Sequence, residues 1–84
     1  MRLVKMLDQL IDRAEKFGLG EADIMNAREL YNYMEYSLAF DTIVTQLYEY
    51  EIPINVDYYT LIAQIGKKME LTDTDFSFLK ELIQ

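Results

Sequence analysis

The chain contains no cysteine and no histidine, and these two absences exclude most of the reactive chemistry open to a small protein. Without cysteine there is no disulfide and no thiolate zinc site, which fits a reducing compartment. The strongest side-chain nucleophile and the commonest general base are both missing. No Gly-rich phosphate loop and no G-x-S-x-G elbow occurs anywhere in the sequence, so neither nucleotide cradling nor a serine hydrolase is indicated. Glu49 and Glu51 form a carboxylate pair, but exposed pairs on an acidic chain are ordinarily solvated. Asp73-Thr74-Asp75 begins like a calcium loop. Such a loop needs glycine at its sixth position and glutamate at its twelfth, where this chain has Phe78 and Gln84. No catalytic residue, metal site or cofactor is expected, and the chain is not read as an enzyme.

Long apolar runs are absent too. The opening MRLVKMLDQLIDR is broken by Arg2, Lys5, Asp8, Asp12 and Arg13, so it contains no signal-peptide core, and nothing is long enough to span a bilayer. A cytoplasmic protein is expected. Positive charge is scarce in one region above all. Between residues 29 and 66 there is no Lys or Arg, while Glu29, Glu35, Asp41, Glu49, Glu51 and Asp57 all lie there. The same window holds all seven tyrosines: Tyr31, Tyr33, Tyr36, Tyr48, Tyr50, Tyr58 and Tyr59. With a net charge of −7, such a surface repels nucleic acid and anionic membranes and attracts basic partners.

What is present is a helical pattern. The 84 residues are 51% hydrophobic, enough for a core and against disorder, and residues 1–84 are read as a single domain. Leu3, Leu7, Leu10, Ala14 and Phe17, widened by Val4 and Ile11, mark a first helix closed by Gly18. Asp12 and Lys16 make a favourable i,i+4 pair on it. A second helix opens at Gly20-Glu21-Ala22-Asp23, with Ile24, Ala27, Leu30, Tyr31 and Met34 as its core face. Its outer side carries Met25, Glu29 and Tyr33. The next turn is placed near Glu35 and Tyr36. The third helix, within residues 38–54, puts Phe40, Ile43, Val44 and Leu47 on one apolar face. Asp41, Thr45 and Glu49 lie on another, with Tyr48 beside them, and Pro53 is expected to stop the helix. Leu38 points away from Phe40 and is expected to lie against a neighbouring loop or a fifth helix. Asn55 caps a fourth helix over residues 56–69, with Tyr58, Leu61, Ile62, Ile65 and Met69 inward. Thr72 or Asp73 then caps a short fifth, which returns Phe76, Leu79, Leu82 and Ile83 to the core. The expected fold is all-α: a compact bundle of four main helices plus a short C-terminal helix.

The run QLYEYEIPI (residues 46–54), led by LAFDTIV and followed by a capped helix ending IGKKMEL, resembles the MafI-type immunity proteins. The resemblance covers most of the chain from about residue 21, and residues 38–54 are its distinctive part. One departure is Met34-Glu35-Tyr36-Ser37, where similar sequences are expected to carry a glycine; it bears on the shape of the second turn. The resemblance implies a small helical bacterial protein that neutralises a cognate secreted toxin, as in polymorphic-toxin and contact-dependent inhibition systems. It also implies a toxin C-terminal domain as partner, one that charge complementarity makes basic, as in a nuclease, and a chain that is monomeric when free.

The helical phase leaves Tyr33 and Tyr48 on or beside polar faces, whereas Tyr31, Tyr36 and Tyr58 fall toward the core. Tyrosine is enriched at interface hot spots because it presents a large, stiff surface. The expected partner-binding set is therefore Glu29, Tyr33, Asp41, Tyr48, Glu49, Glu51 and Asp57. If the helices run up and down, the turns at residues 18–20 and 52–55 share one end, which would gather Glu21, Asp23, Glu49, Glu51 and Asp57. Two other readings remain open: a helical adaptor presenting a groove to a peptide or subunit, and a homo-oligomer joined through Met25, Tyr33 and Leu38.

Overall fold

The three- and four-residue spacing of apolar side chains is realised as four α-helices and two 3₁₀ turns. The computed structural model describes residues 2–84: α1 (Leu3–Phe17), α2 (Glu21–Asn32), α3 (Tyr36–Glu49), α4 (Val56–Lys68), η1 (Asp73–Asp75) and η2 (Ser77–Leu82). Side-chain pairs give the directions. Arg28 and Tyr31, late in α2, bond to Asp8 and to the Val4 carbonyl, early in α1. Arg13, late in α1, meets Asp57 at the start of α4 at 2.9 Å. Gln46, late in α3, donates to Asp23 at the start of α2 at 3.0 Å. Successive helices are thus antiparallel, and the turns at residues 18–20 and 52–55 do share one end. The Cα radius of gyration is 11.4 Å, close to the roughly 12 Å of a compact chain this long.

The bundle is all-α, and α1 packs against α2, α3 and α4. The backbones of α3 and α4 do not approach each other; η2 lies against both. The C-terminal segment is therefore a wedge, and it is 3₁₀ rather than α-helical. Phe76, Leu79 and Leu82 bury it in the core. Phe76 fits because position 66 has no side chain: a Cβ on Gly66 would sit 2.5 Å from the Phe76 ring. Thr72 makes the cap, its N–H and hydroxyl donating to the Asp75 carboxylate at 2.9 and 3.1 Å. Backbone bonds then tie the chain end to the α3–α4 connection: Ile54 N–H to the Leu82 carbonyl at 3.0 Å, and Gln84 N–H to the Ile54 carbonyl at 2.9 Å.

Phe40, Ile43, Val44 and Leu47 are all buried, as the periodicity requires. Asn55 caps α4, its side chain accepting from the Tyr58 N–H at 2.8 Å, and Asp12 pairs with Lys16 at 3.3 Å. Three expectations about burial need correction. Met6, not Val4, completes the buried face of α1, because the helix meets α4 as well as α2 and α3. Leu38 remains 53% exposed, so any neighbour covers it only in part. Met34 is a turn residue, 75% exposed, because α2 ends at Asn32.

The reason lies in the helix ends. All four α-helices close with one backbone pattern, in which a left-handed residue and its successor donate back to the last turn. Gly18 and Leu19 bond to the Glu15 and Ala14 carbonyls, and Met34 and Glu35 to those of Tyr31 and Leu30. Glu51 and Ile52 bond to Tyr48 and Leu47, and Glu70 and Leu71 to Lys67 and Gly66. Only the first site has glycine. Met34, Glu51 and Glu70 adopt φ of 62°, 50° and 61°, where an L side chain crowds the following carbonyl at roughly 1–2 kcal/mol. Met34 thus stands where a turn of this shape favours glycine. Pro53 follows a stop already made by Glu51 rather than making it. Met34→Gly, Glu51→Gly and Glu70→Gly should each raise the unfolding free energy by about 0.5–1 kcal/mol, the strain relieved less glycine's extra unfolded-state freedom. Urea titration followed by far-UV circular dichroism measures this, and a loss of stability at all three sites would contradict the cap geometry.

Candidate functional site

The tyrosines of the basic-free window divide by burial. Tyr58 is fully buried and donates its hydroxyl to the Leu10 carbonyl at 2.7 Å. Its ring stacks with Phe17, centroids 4.8 Å apart, beneath the Arg13 guanidinium. Burial pushes the Tyr58 hydroxyl pKa far above the usual value, against a smaller lowering by Arg13. Tyr31, half-buried, is raised by burial and then by the charge of Asp8, with Arg28 opposing; Tyr59 is raised by burial and then by Asp73. These three are neutral packing groups at ordinary pH. Tyr33, Tyr48 and Tyr50 are exposed.

Tyr48 stands apart because it is both exposed and held. It lies on the last turn of α3, 41% exposed, with its ring edge-on to Phe78 of η2 at 4.9 Å and 80°. Its hydroxyl points to the Glu81 carboxylate at 3.4 Å. The helix then ends, and the left-handed turn at Glu51 brings that side chain round to the same place. The result is an open hollow of about 320 Å³ lined by Tyr48, Glu49, Glu51, Glu81 and Leu82. Three carboxylates and a tyrosine thus surround one concavity with an apolar wall. None of the three carboxylates has an ion-pair partner among the described residues. The arrangement offers a place for a cationic side chain, since charge is concentrated there without an internal counter-ion.

The expected partner-binding residues are not one patch. Tyr48, Glu49 and Glu51 come together. Asp41 is on the same face of α3 two turns earlier, roughly 12 Å away along the helix, where it accepts from Thr45 at 3.5 Å. Glu29 and Tyr33 line a separate hollow on α2 with Ile24, Met25, Arg28 and Asn32. Asp57 pairs with Arg13, which partly offsets the charge at the acidic end of the bundle, while Asp23 accepts from the neutral Gln46 amide. Glu81 and Leu82 were not in the expected set. They lie outside the basic-free window, and only the wedge between α3 and α4 carries them to the hollow. Their sequence signal is the apolar Leu79 and Leu82, which leave Glu81 on the outside.

Comparison with protein-family models, with curated proteins and with solved structures gives no match to this chain. Among the described residues no cluster of carboxylates has the geometry to hold a metal ion, and no helix is long and apolar enough to cross a membrane.

Proposed function

We propose that this chain is an immunity protein that binds and neutralises a basic toxin domain through the surface around Tyr48, Glu49, Glu51 and Glu81. The observation that carries the reading is the open hollow in which three carboxylates without internal counter-ions surround an exposed, braced tyrosine. The likeness of residues 46–54 to the MafI-type immunity proteins supports it from the sequence side, because the same residues build the α3 end of that hollow. Complementary fields accelerate encounter, and a desolvated aromatic with a few charge pairs then holds the complex. In this reading the protein is a cytoplasmic, non-catalytic monomer until its partner arrives. A second hollow lined by Arg2, Val4, Lys5, Asp8 and Tyr31 is the feature that favours a helical adaptor instead, since Val4 there is exposed.

The test is co-expression with a basic toxin-like C-terminal domain, to be sought in a reading frame immediately upstream of the chain. Cells should survive only with the chain present, and the two proteins should co-purify as a tight complex. Survival and co-purification should both be lost when Tyr48 and Glu49 are replaced by Ala together, and both kept when Val4 and Lys5 are. The opposite pattern would move the interface to the adaptor hollow, and absence of any protection would end the immunity reading.

A further inference from the structure

The hollow is built from two parts of the chain that are distant in sequence, and the second part belongs to no motif. Tyr48, Glu49 and Glu51 come from the end of α3 and its cap, while Glu81 and Leu82 come from η2. Tyr48 itself sits on a polar face of α3, and a helix backbone leaves an exposed tyrosine more than one staggered rotamer. The restraint comes across the gap. The Phe78 ring is half-buried, is packed against the core cluster and meets Tyr48 edge-on at 4.9 Å. One residue turn away, Glu81 receives the hydroxyl. Behind these contacts η2 is itself fixed, by buried Leu79 and Leu82 and by the backbone bonds of Ile54 to Leu82 and Gln84.

We infer that Phe78 is a positioning residue of the interface, which holds Tyr48 in the orientation that a cationic side chain of the partner meets. Fixing an aromatic before encounter removes an ordering cost from binding, and an edge-on ring pair supplies such fixation without covering the exposed face. The inference rests on the proposed reading of the hollow, but its consequences are visible without the toxin. In this role Phe78 acts through Tyr48 and needs no contact of its own with the partner.

The experiment uses the full chain and hexa-arginine as the cationic probe, with nuclear magnetic resonance reading the Tyr48 ring. In the free protein Tyr48 should show a single χ1 rotamer and a ring-current shift from Phe78. Phe78→Ala should average the rotamer and abolish the shift, whereas Phe78→Tyr, which keeps the edge-on ring, should retain both. Phe78→Leu fills the space without an aromatic edge and controls for packing, and should leave Tyr48 averaged. Hexa-arginine should bind to the hollow about three- to tenfold more weakly in Phe78→Ala, the effect of one lost aromatic pair. In a Tyr48→Ala background Phe78→Ala should change probe binding no further. A Tyr48 ring that stays fixed in Phe78→Ala, or an undiminished Phe78 effect in the Tyr48→Ala background, overturns the inference. Failure of the toxin to bind at all would instead strike the immunity reading, and the free-protein measurement would stand apart from it.

Discussion

Leu47→Ala lowers the unfolding free energy by about 2–5 kcal/mol, the range for a leucine truncated in a core that cannot fully collapse around the gap. Leu47 is fully buried, on the face that also carries Phe40, Ile43 and Val44. Its surroundings have little freedom to close in. Its own carbonyl accepts the Ile52 N–H that completes the helix cap, and η2 is pinned against α3 from the other side. Domains of this size have only about 5–15 kcal/mol in total, so the variant should be visibly unfolded at urea concentrations that leave the parent folded. Equilibrium urea titration by circular dichroism checks this, with Thr45→Ala on the exposed face of the same helix as control, expected within about 0.5 kcal/mol of the parent. A Leu47→Ala midpoint equal to that of Thr45→Ala would mean that α3 presents a different face to the core.

The contrast between those two residues shows which features were legible before the structure. Periodicity places Leu47 inside and Thr45 outside without reference to any other element, and the same holds for the Asn55 cap and the Gly18 stop. Each is decided within one helical turn. Periodicity puts Met34 in the core because it runs on past the point where the chain turns, after Asn32. A left-handed methionine leaves no mark in composition, since it is tolerated through the two backbone bonds that follow it. Val4 and Met6 exchange roles for another reason: which side of α1 is buried depends on α4, which arrives some fifty residues later. The hollow was half legible. Its α3 side stood out as tyrosine and acid next to a helix end. Its η2 side was invisible, because Glu81 becomes its neighbour only when Phe76 settles over Gly66 and Ile83 pairs with Ile54. Asp57 belongs to the expected set by its charge alone, and Arg13, forty-four residues away, pairs with it.

The charge-reversal experiment gives the proposed interface its most demanding test. Glu49→Lys, Glu51→Lys and Glu81→Lys combined should leave the far-UV spectrum unchanged, because all three side chains are exposed and none has an ion-pair partner among the described residues. Association with the toxin domain should slow by about 10- to 100-fold at low ionic strength, and its dependence on salt should largely disappear, since steering comes from these charges. Protection of cells expressing the toxin should be lost. Asp41→Lys alone should act in the same direction and more weakly, because its field reaches the hollow only from two turns away along α3. Tyr48→Ala should differ in kind: association nearly unchanged, dissociation faster by about tenfold or more, as for an aromatic anchor that contributes after encounter. The control reverses Glu15, Glu35 and Glu70 to Lys, none of which has an ion-pair partner among the described residues; this shifts the net charge equally and leaves the hollow intact. Asp8 and Asp12 are unsuitable for that control because Arg28 and Lys16 pair with them. Kinetics at two ionic strengths separate the two triples, and if the control slows association as much as the hollow triple does, net charge rather than this surface governs recognition.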